Sequence, residues 1–228
     1  MKLTVTLSAN AGICLQAEGL KLWVDALHDE KVPGFSTVSP ELFGEIMASE
    51  EFSNPDAVCV THRHPDHYSE DMVNQALSRY PSARLLMPDA SFGDRHSLKI
   101  GKEDITFLRL THEGEQYADC LHYGILLTIS GKKILIPGDC RLLDPALKET
   151  VRGEKIDLAL LNFPWLTLKK AEAFVREEIC PRQVILYHLP SAEDDINQFR
   201  PAAQRSAEKW GDNAHLLMNP LETIVLDI

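Results

Sequence analysis

The stretch THRHPDH, residues 61–67, places three imidazoles and one carboxylate within six residues, directly after the apolar run DAVCV at residues 56–60. The chain has nine histidines, so a third of them lie in this one short stretch. Neutral imidazole and carboxylate are the ligands that borderline divalent cations such as Zn²⁺ prefer. The stretch therefore indicates a metal site rather than a polar loop whose histidines only form hydrogen bonds or face water.

The spacing inside the stretch suits two neighbouring ions. Side chains alternate along an extended segment, so His62 and His64 can point the same way and hold one ion. Pro65 interrupts the alternation, and Asp66 with His67 can then address a second position beside the first.

Polar residues also follow three later apolar runs, at the point where each predicted strand ends. His112 follows ITFLRL, Asp139 follows KILIPG, and His188 follows VILY. Because the ends of neighbouring strands can meet on one rim of a sheet, these residues and the 61–67 stretch can share one site.

The order of elements predicts the fold class. The first half reads as short strands joined by tight turns, and the second half alternates strand and helix, with a hairpin turn at Ser130-Gly131. Such a pattern favours an α/β fold, a four-layer αβ/βα sandwich with two packed mixed β-sheets and outer helices. No repeat or linker interrupts the chain, so residues 1–228 are predicted to form one domain.

These motifs together resemble the metallo-β-lactamase superfamily over essentially the whole chain. THRHPDH resembles its signature, and LWVDA resembles the early strand that ends in a supporting aspartate, here Asp25. RLTHEG resembles the third-histidine motif, ILIPGD the Gly-Asp motif, and VILYHL the late histidine. Size and spacing are most similar to the branch with ascorbate-phosphate lactonases and tRNA-processing endonucleases.

The resemblance implies two divalent metal ions, Zn²⁺ in the first place, with Mn²⁺ or Fe²⁺ as alternatives. It implies that one metal is held by His62, His64 and His112, the other by Asp66, His67 and His188, and that Asp139 bridges both. The implied activity is that of a metal-dependent hydrolase, in which hydroxide held by the dinuclear centre cleaves a small ester, lactone or phosphodiester. Asp66 would hold or shuttle the proton, as the catalytic residue.

Three further residues near these ligands have roles that the sequence leaves open or that support the ligands. His112 is favoured over His122 as the third histidine because His112 lies at a strand end. Cys140 stands where the family usually has Thr or Ser, and is either a donor near the metals or a small buried residue. Asp25 is expected to orient a ligand histidine through its free ring nitrogen.

Candidate pocket residues are fewer. Asn162 and Trp165, after the strand DLALLNF, are predicted to form one wall, with ordinary packing as the alternative for Trp165. Asn10 in the first turn is predicted to face the same rim. The acidic run Glu193–Asp195 disfavours a polyanionic substrate, which favours a small molecule.

Charge and cysteine content narrow the function classes. A formal charge of −11 makes a nucleic-acid partner unlikely, although an RNA or nucleotide phosphodiesterase remains an alternative. An iron-dependent oxidoreductase on the same scaffold is the other alternative, and the resemblance places a glutamate at position 64 in the di-iron form.

Five scattered cysteines and the lack of a membrane-length apolar run predict a cytoplasmic protein with no membrane partner. The oligomeric state is left open.

Overall fold

A computed structural model describes all 228 residues, and the chain divides into two compact units, each with its own mixed β-sheet. The first unit comprises Met1–Met87, His188–Arg200 and Leu217–Asp227, and the second comprises Pro88–Tyr187, Pro201–Leu216 and Ile228. Two mixed sheets with helices are the architecture that the order of elements predicts. That residues 1–228 form a single domain stays a prediction.

The first unit contains a six-stranded sheet in the order β13-β1-β2-β3-β4-β5. Its β13, β1, β2 and β3 pair antiparallel, whereas β3, β4 and β5 pair parallel. Because β3 and β4 run parallel, the residues that follow them emerge at the same edge of the sheet, and these include Asp25 and the 61–67 stretch. The strands are β1 Lys2–Leu7, β2 Ile13–Ala17, β3 Leu20–Val24, β4 Ala57–Cys59, β5 Arg84–Leu86 and β13 Thr223–Asp227.

The second unit contains a seven-stranded sheet in the order β12-β11-β10-β9-β8-β7-β6. Strands β6 to β9 pair antiparallel, and β9 to β12 pair parallel. The predicted hairpin turn is present between β8 and β9, with left-handed backbone at Ser130 and Gly131. The strands are β6 Arg95–Ile100, β7 Glu103–Arg109, β8 Tyr123–Ile129, β9 Lys132–Ile136, β10 Leu158–Asn162, β11 Gln183–Tyr187 and β12 Ala214–Leu216.

Six α-helices accompany the sheets, and their ends follow local chemistry. Ser69 accepts a hydrogen bond from the backbone N–H of Met72 and so caps α2, as its position before the apolar stripe predicts. Trp23 packs edge-on against Phe52 and Tyr80 in the core of the first unit. The helices are α1 Pro40–Ala48, α2 Glu70–Arg79, α3 Pro145–Val151, α4 Pro164–Thr167, α5 Lys169–Phe174, which continues as a π-helical turn Val175–Ile179, and α6 Phe199–Trp210. None of the helices is long and apolar enough to cross a membrane.

The structure contains elements that the sequence pattern did not predict. Strand β6 has no clear strand pattern in its sequence, because its charged residues mask the alternation in RHSLKI. Its His96 stacks on Phe92, with ring centroids 4.0 Å apart. His28, which no sequence motif singles out, is completely buried in the first unit.

Candidate metal centre

The strongest metal-ligand geometry in the first unit joins His67, His188 and Asp66. The Nε2 atoms of His67 and His188 lie 3.3 Å apart, and Nε2 of His67 lies 4.0 Å from Oδ2 of Asp66. One ligand atom from each of the three residues falls within 4.8 Å of the others. Two imidazoles bound tetrahedrally to Zn²⁺ at about 2.0–2.1 Å place their nitrogens roughly 3.3 Å apart. The spacing therefore fits one shared ion.

His62 and His64 form a second pair in the same unit. Nε2 of His62 lies 3.1 Å from Nδ1 of His64, again close to the separation that one ion requires. The two rings meet edge-on, with centroids 4.5 Å apart. The His-x-His spacing thus brings two nitrogens together, as alternation along an extended segment predicts.

Asp25 holds the histidine stretch from the end of β3. Its carboxylate accepts hydrogen bonds from the backbone N–H of Thr61 at 2.7 Å, from the Thr61 hydroxyl at 2.6 Å, and from Nδ1 of His67 at 3.0 Å. Because Nδ1 of His67 donates to Asp25, Nε2 keeps its lone pair for a metal.

Thr61 fixes the tautomer of His62 by the same reasoning. The Thr61 hydroxyl has one proton and gives it to Asp25, so it accepts at its 2.9 Å contact with Nδ1 of His62. His62 is then protonated at Nδ1 and offers Nε2 as a ligand atom. Thr61 stands inside the quoted motif, but nothing in its spacing assigns it this role.

The second unit brings His112, Asp139 and Asn162 together. Nδ1 of His112 donates to the backbone oxygen of Glu113 at 2.6 Å, which leaves Nε2 as a ligand atom, 4.0 Å from Oδ2 of Asp139. The side-chain N–H of Asn162 donates to Oδ1 of Asp139 at 3.3 Å. Asn162 therefore orients the carboxylate rather than only forming a pocket wall.

The two open assignments beside this group also have a definite environment. His122 is completely buried just before β8, with Nδ1 3.3 Å from the backbone oxygen of Leu110. The Cys140 thiol donates to the backbone oxygen of Arg141, and burial raises its pKa well above the ordinary value. A protonated, buried thiol matches the interpretation of Cys140 as a small core residue.

Two predicted pocket residues lie in the interior instead. Trp165 is 0% exposed and packs on Phe174 in the second unit, so it does not form a pocket wall. Asn10 is 1% exposed, and its contribution is a backbone one, because its carbonyl accepts from the N–H of His188 at 3.1 Å.

The acidic run after His188 is largely committed to internal contacts. Asp194 accepts from Lys31, Ser36 and Ser191, and the Lys31 hydrogen bond lowers the pKa of Asp194 below its ordinary value. Asp195 accepts from the backbone N–H groups at the start of α6. The acidic run therefore repels a polyanion less strongly than the sequence suggests.

Phe35 is a neighbour of the site that no sequence pattern identified. Its ring meets the His188 imidazole edge-on, with centroids 5.2 Å apart. It lies in an irregular loop before α1, where neither periodicity nor spacing distinguishes it from a surface residue.

Comparison with known proteins identifies the fold. Igni18, a metallo-hydrolase from Ignicoccus hospitalis, superposes with a TM-score of 0.66 at 16% identity, covering 100% of both chains. YhfI from Bacillus subtilis, a metallo-β-lactamase fold protein, gives 0.65 at 15% identity, covering 98% of this chain and 99% of YhfI. The chain thus has the metallo-β-lactamase fold, and the predicted fold class is confirmed.

A relative with different chemistry has the same fold. CmlA from Streptomyces venezuelae, a diiron β-hydroxylase, gives a TM-score of 0.58 at 14% identity, covering 99% of this chain and 54% of CmlA. No protein-family model matches the chain, and no curated protein does.

Proposed function

We propose that this chain, which has the metallo-β-lactamase fold, is a metal-dependent hydrolase that cleaves a small ester, lactone or phosphodiester. The observation that carries the proposal is the 3.3 Å approach of the His67 and His188 Nε2 atoms beside Asp66. Both histidines are buried, at 1% and 5% exposure. Bringing imidazoles this close in the interior is costly unless an ion or a hydrogen bond joins them.

The proposed centre holds two divalent ions. Under this proposal His62, His64 and His112 would hold one ion and Asp66, His67 and His188 the other, with Asp139 as a further carboxylate ligand. The support is the hydrogen bonding of three histidines. Nδ1 is hydrogen-bonded in His62, His67 and His112, so Nε2 of each ring carries the lone pair that a metal would bind. A set of imidazole nitrogens and carboxylate oxygens suits Zn²⁺, and also Mn²⁺ or Fe²⁺.

A bound metal pair supplies Lewis acidity and an activated water at neutral pH. The residues of the chain contribute orientation and proton handling. Asn162 orients the Asp139 carboxylate by donating a hydrogen bond to its Oδ1, and Oδ2 of the same carboxylate lies 4.0 Å from Nε2 of His112. Asp66 is partly exposed, with 14% of its side chain accessible, so it can hold and release a proton toward a substrate. The Cys140 thiol is buried and donates to the backbone oxygen of Arg141, so its geometry does not favour a role as nucleophile.

The proposal is tested with purified protein reloaded with Zn²⁺, Mn²⁺ or Fe²⁺ and offered lactones, carboxylic esters, thioesters, phosphodiesters and phosphonates. We expect turnover that requires metal and is lost in His67→Ala and Asp139→Ala. The matched control is His215→Gln, a histidine on β12 that takes part in neither cluster, and it should retain activity. Activity that persists in Asp139→Ala, or that ignores chelation, would refute the assignment.

The same scaffold also carries iron-dependent oxidation, as the CmlA comparison shows for that protein. His64 favours hydrolysis here, since the di-iron form has glutamate at this position by the resemblance. Oxygen consumption by the iron-loaded protein, absent from the zinc-loaded protein, would favour the oxidoreductase instead.

A further inference from the structure

His188 has an unusual backbone for a metal ligand. Its φ is +58°, in the left-handed region, which residues other than glycine adopt uncommonly. Such a conformation persists only where surrounding contacts impose it. The backbone N–H of His188 donates to the carbonyl of Asn10 at 3.1 Å, and this is the hydrogen bond that fixes the peptide at this point.

Asn10 itself lies in a rigid turn between β1 and β2. The turn is closed by Ser8 N–H to Gly12 oxygen at 2.8 Å and by Gly12 N–H to Ala9 oxygen at 2.7 Å. A Cβ at Gly12 would lie 2.7 Å from the backbone of Asp25, so the turn is pressed against the end of β3. His28 adds a contact from Nε2 to the Ala9 oxygen at 3.2 Å.

The backbone conformation at position 10, rather than the side-chain carboxamide, explains why an asparagine stands there. Its φ is +46°, so its carbonyl direction depends on a left-handed backbone that asparagine tolerates better than most side chains. Both polar atoms of its side chain are buried without a hydrogen-bond partner. The amide therefore makes no bond that would justify its burial.

We propose that Asn10 is a positioning residue for the metal ligand His188. Its left-handed turn presents the carbonyl that holds the His188 N–H, and this keeps His188 in the left-handed backbone that places its Nε2 beside that of His67. The inference rests on the proposed metal centre, since it assigns His188 to an ion.

The test uses Co²⁺ as a spectroscopic probe, titrated into metal-free wild type, Asn10→Gly, Asn10→Val and His188→Ala, with chelator competition. Glycine keeps the left-handed turn and removes the amide, whereas valine has a similar size and resists that conformation. We expect Asn10→Val to lose about 10–100-fold in affinity for the Co²⁺ equivalent that His188→Ala also weakens. Asn10→Gly should bind as wild type does.

The matched control is Glu18→Val, which places the same strain at another left-handed position of the first unit, in the exposed turn before β3. It should leave Co²⁺ binding unchanged while lowering stability. If Asn10→Val does not fold, Asn10→Ala provides the same comparison with less crowding.

The outcomes separate the two levels of inference. Wild-type binding in a folded Asn10→Val or Asn10→Ala would overturn the positioning role while leaving the metal centre intact. An equal loss in Asn10→Gly would also overturn it, by assigning the effect to the carboxamide. No Co²⁺ binding by wild type, or binding indifferent to His188→Ala, would refute the metal centre and the role of Asn10 with it.

Discussion

His28 makes stability depend on pH in a way that one substitution isolates. It is completely buried, and burial lowers its pKa from 6.5 to about 4. The unfolded chain therefore takes up a proton on His28 before the folded chain does. The resulting stability is fully present above pH 6.5 and is lost as pH falls toward 4. By linkage, His28 alone accounts for a loss of about 2 kcal/mol in the free energy of unfolding between pH 7 and pH 5.

The matched variant is His28→Gln. The glutamine amide N–H can replace Nε2–H as the donor to the Ala9 oxygen, but the side chain does not titrate. We would measure urea unfolding of the metal-free protein at pH 7 and pH 5 for both chains. All other residues are the same in both chains, so their contributions cancel to first order in the comparison. The wild type should lose about 2 kcal/mol more than His28→Gln over this interval; parallel losses would show that His28 is not held neutral by burial.

Three further substitutions test the supports of the site. Asp25→Asn removes the carboxylate that orients His67 and should weaken Zn²⁺ binding about 10–100-fold in chelator competition, with unchanged binding as the contrary result. Gly12→Ala places a Cβ 2.1 Å from the Ser8 hydroxyl and should cost about 1–3 kcal/mol in urea unfolding; a neutral effect would contradict the tight turn. Ser69→Ala removes the cap of α2 and should cost about 1 kcal/mol in the same assay, with no change in Zn²⁺ affinity.

The fold was largely readable because its main signals are local. Apolar runs marked most strands, Ser69 marked the start of α2, and Ser130-Gly131 marked a hairpin turn. Strand β6 was missed because its charged residues conceal a strand that pairs only with β7. Helix α3 was missed because it is only seven residues long, too short for a clear periodic stripe.

At the candidate site, residue type was predictable and conformation was not. The histidine stretch states which atoms can bind metal, because ligand chemistry is a property of the side chains. Which ring nitrogen is available depends on Asp25 and Thr61, and the relation between Asp25 and His67 exists only once β3 and β4 pair in parallel. For Trp165 the sequence left a pocket wall and ordinary packing open, and its complete burial favours packing.

Three residues with left-handed backbone in the first unit show why the conformation of the site cannot be predicted from sequence patterns. Asn10, Asp25 and His188 all have positive φ, and none of them is glycine. Asparagine, aspartate and histidine adopt that region more often than most side chains, but residue type alone does not tell which of the many in this chain will do so. The strain is imposed by the surroundings of each residue. Asp25 follows a strand in parallel pairing, Asn10 lies in the closed turn at residues 8–12, and His188 is hydrogen-bonded to Asn10. Because the carbonyl of Asn10 holds the N–H of His188, a substitution that disfavours the left-handed turn at Asn10 should alter the site without altering any proposed ligand.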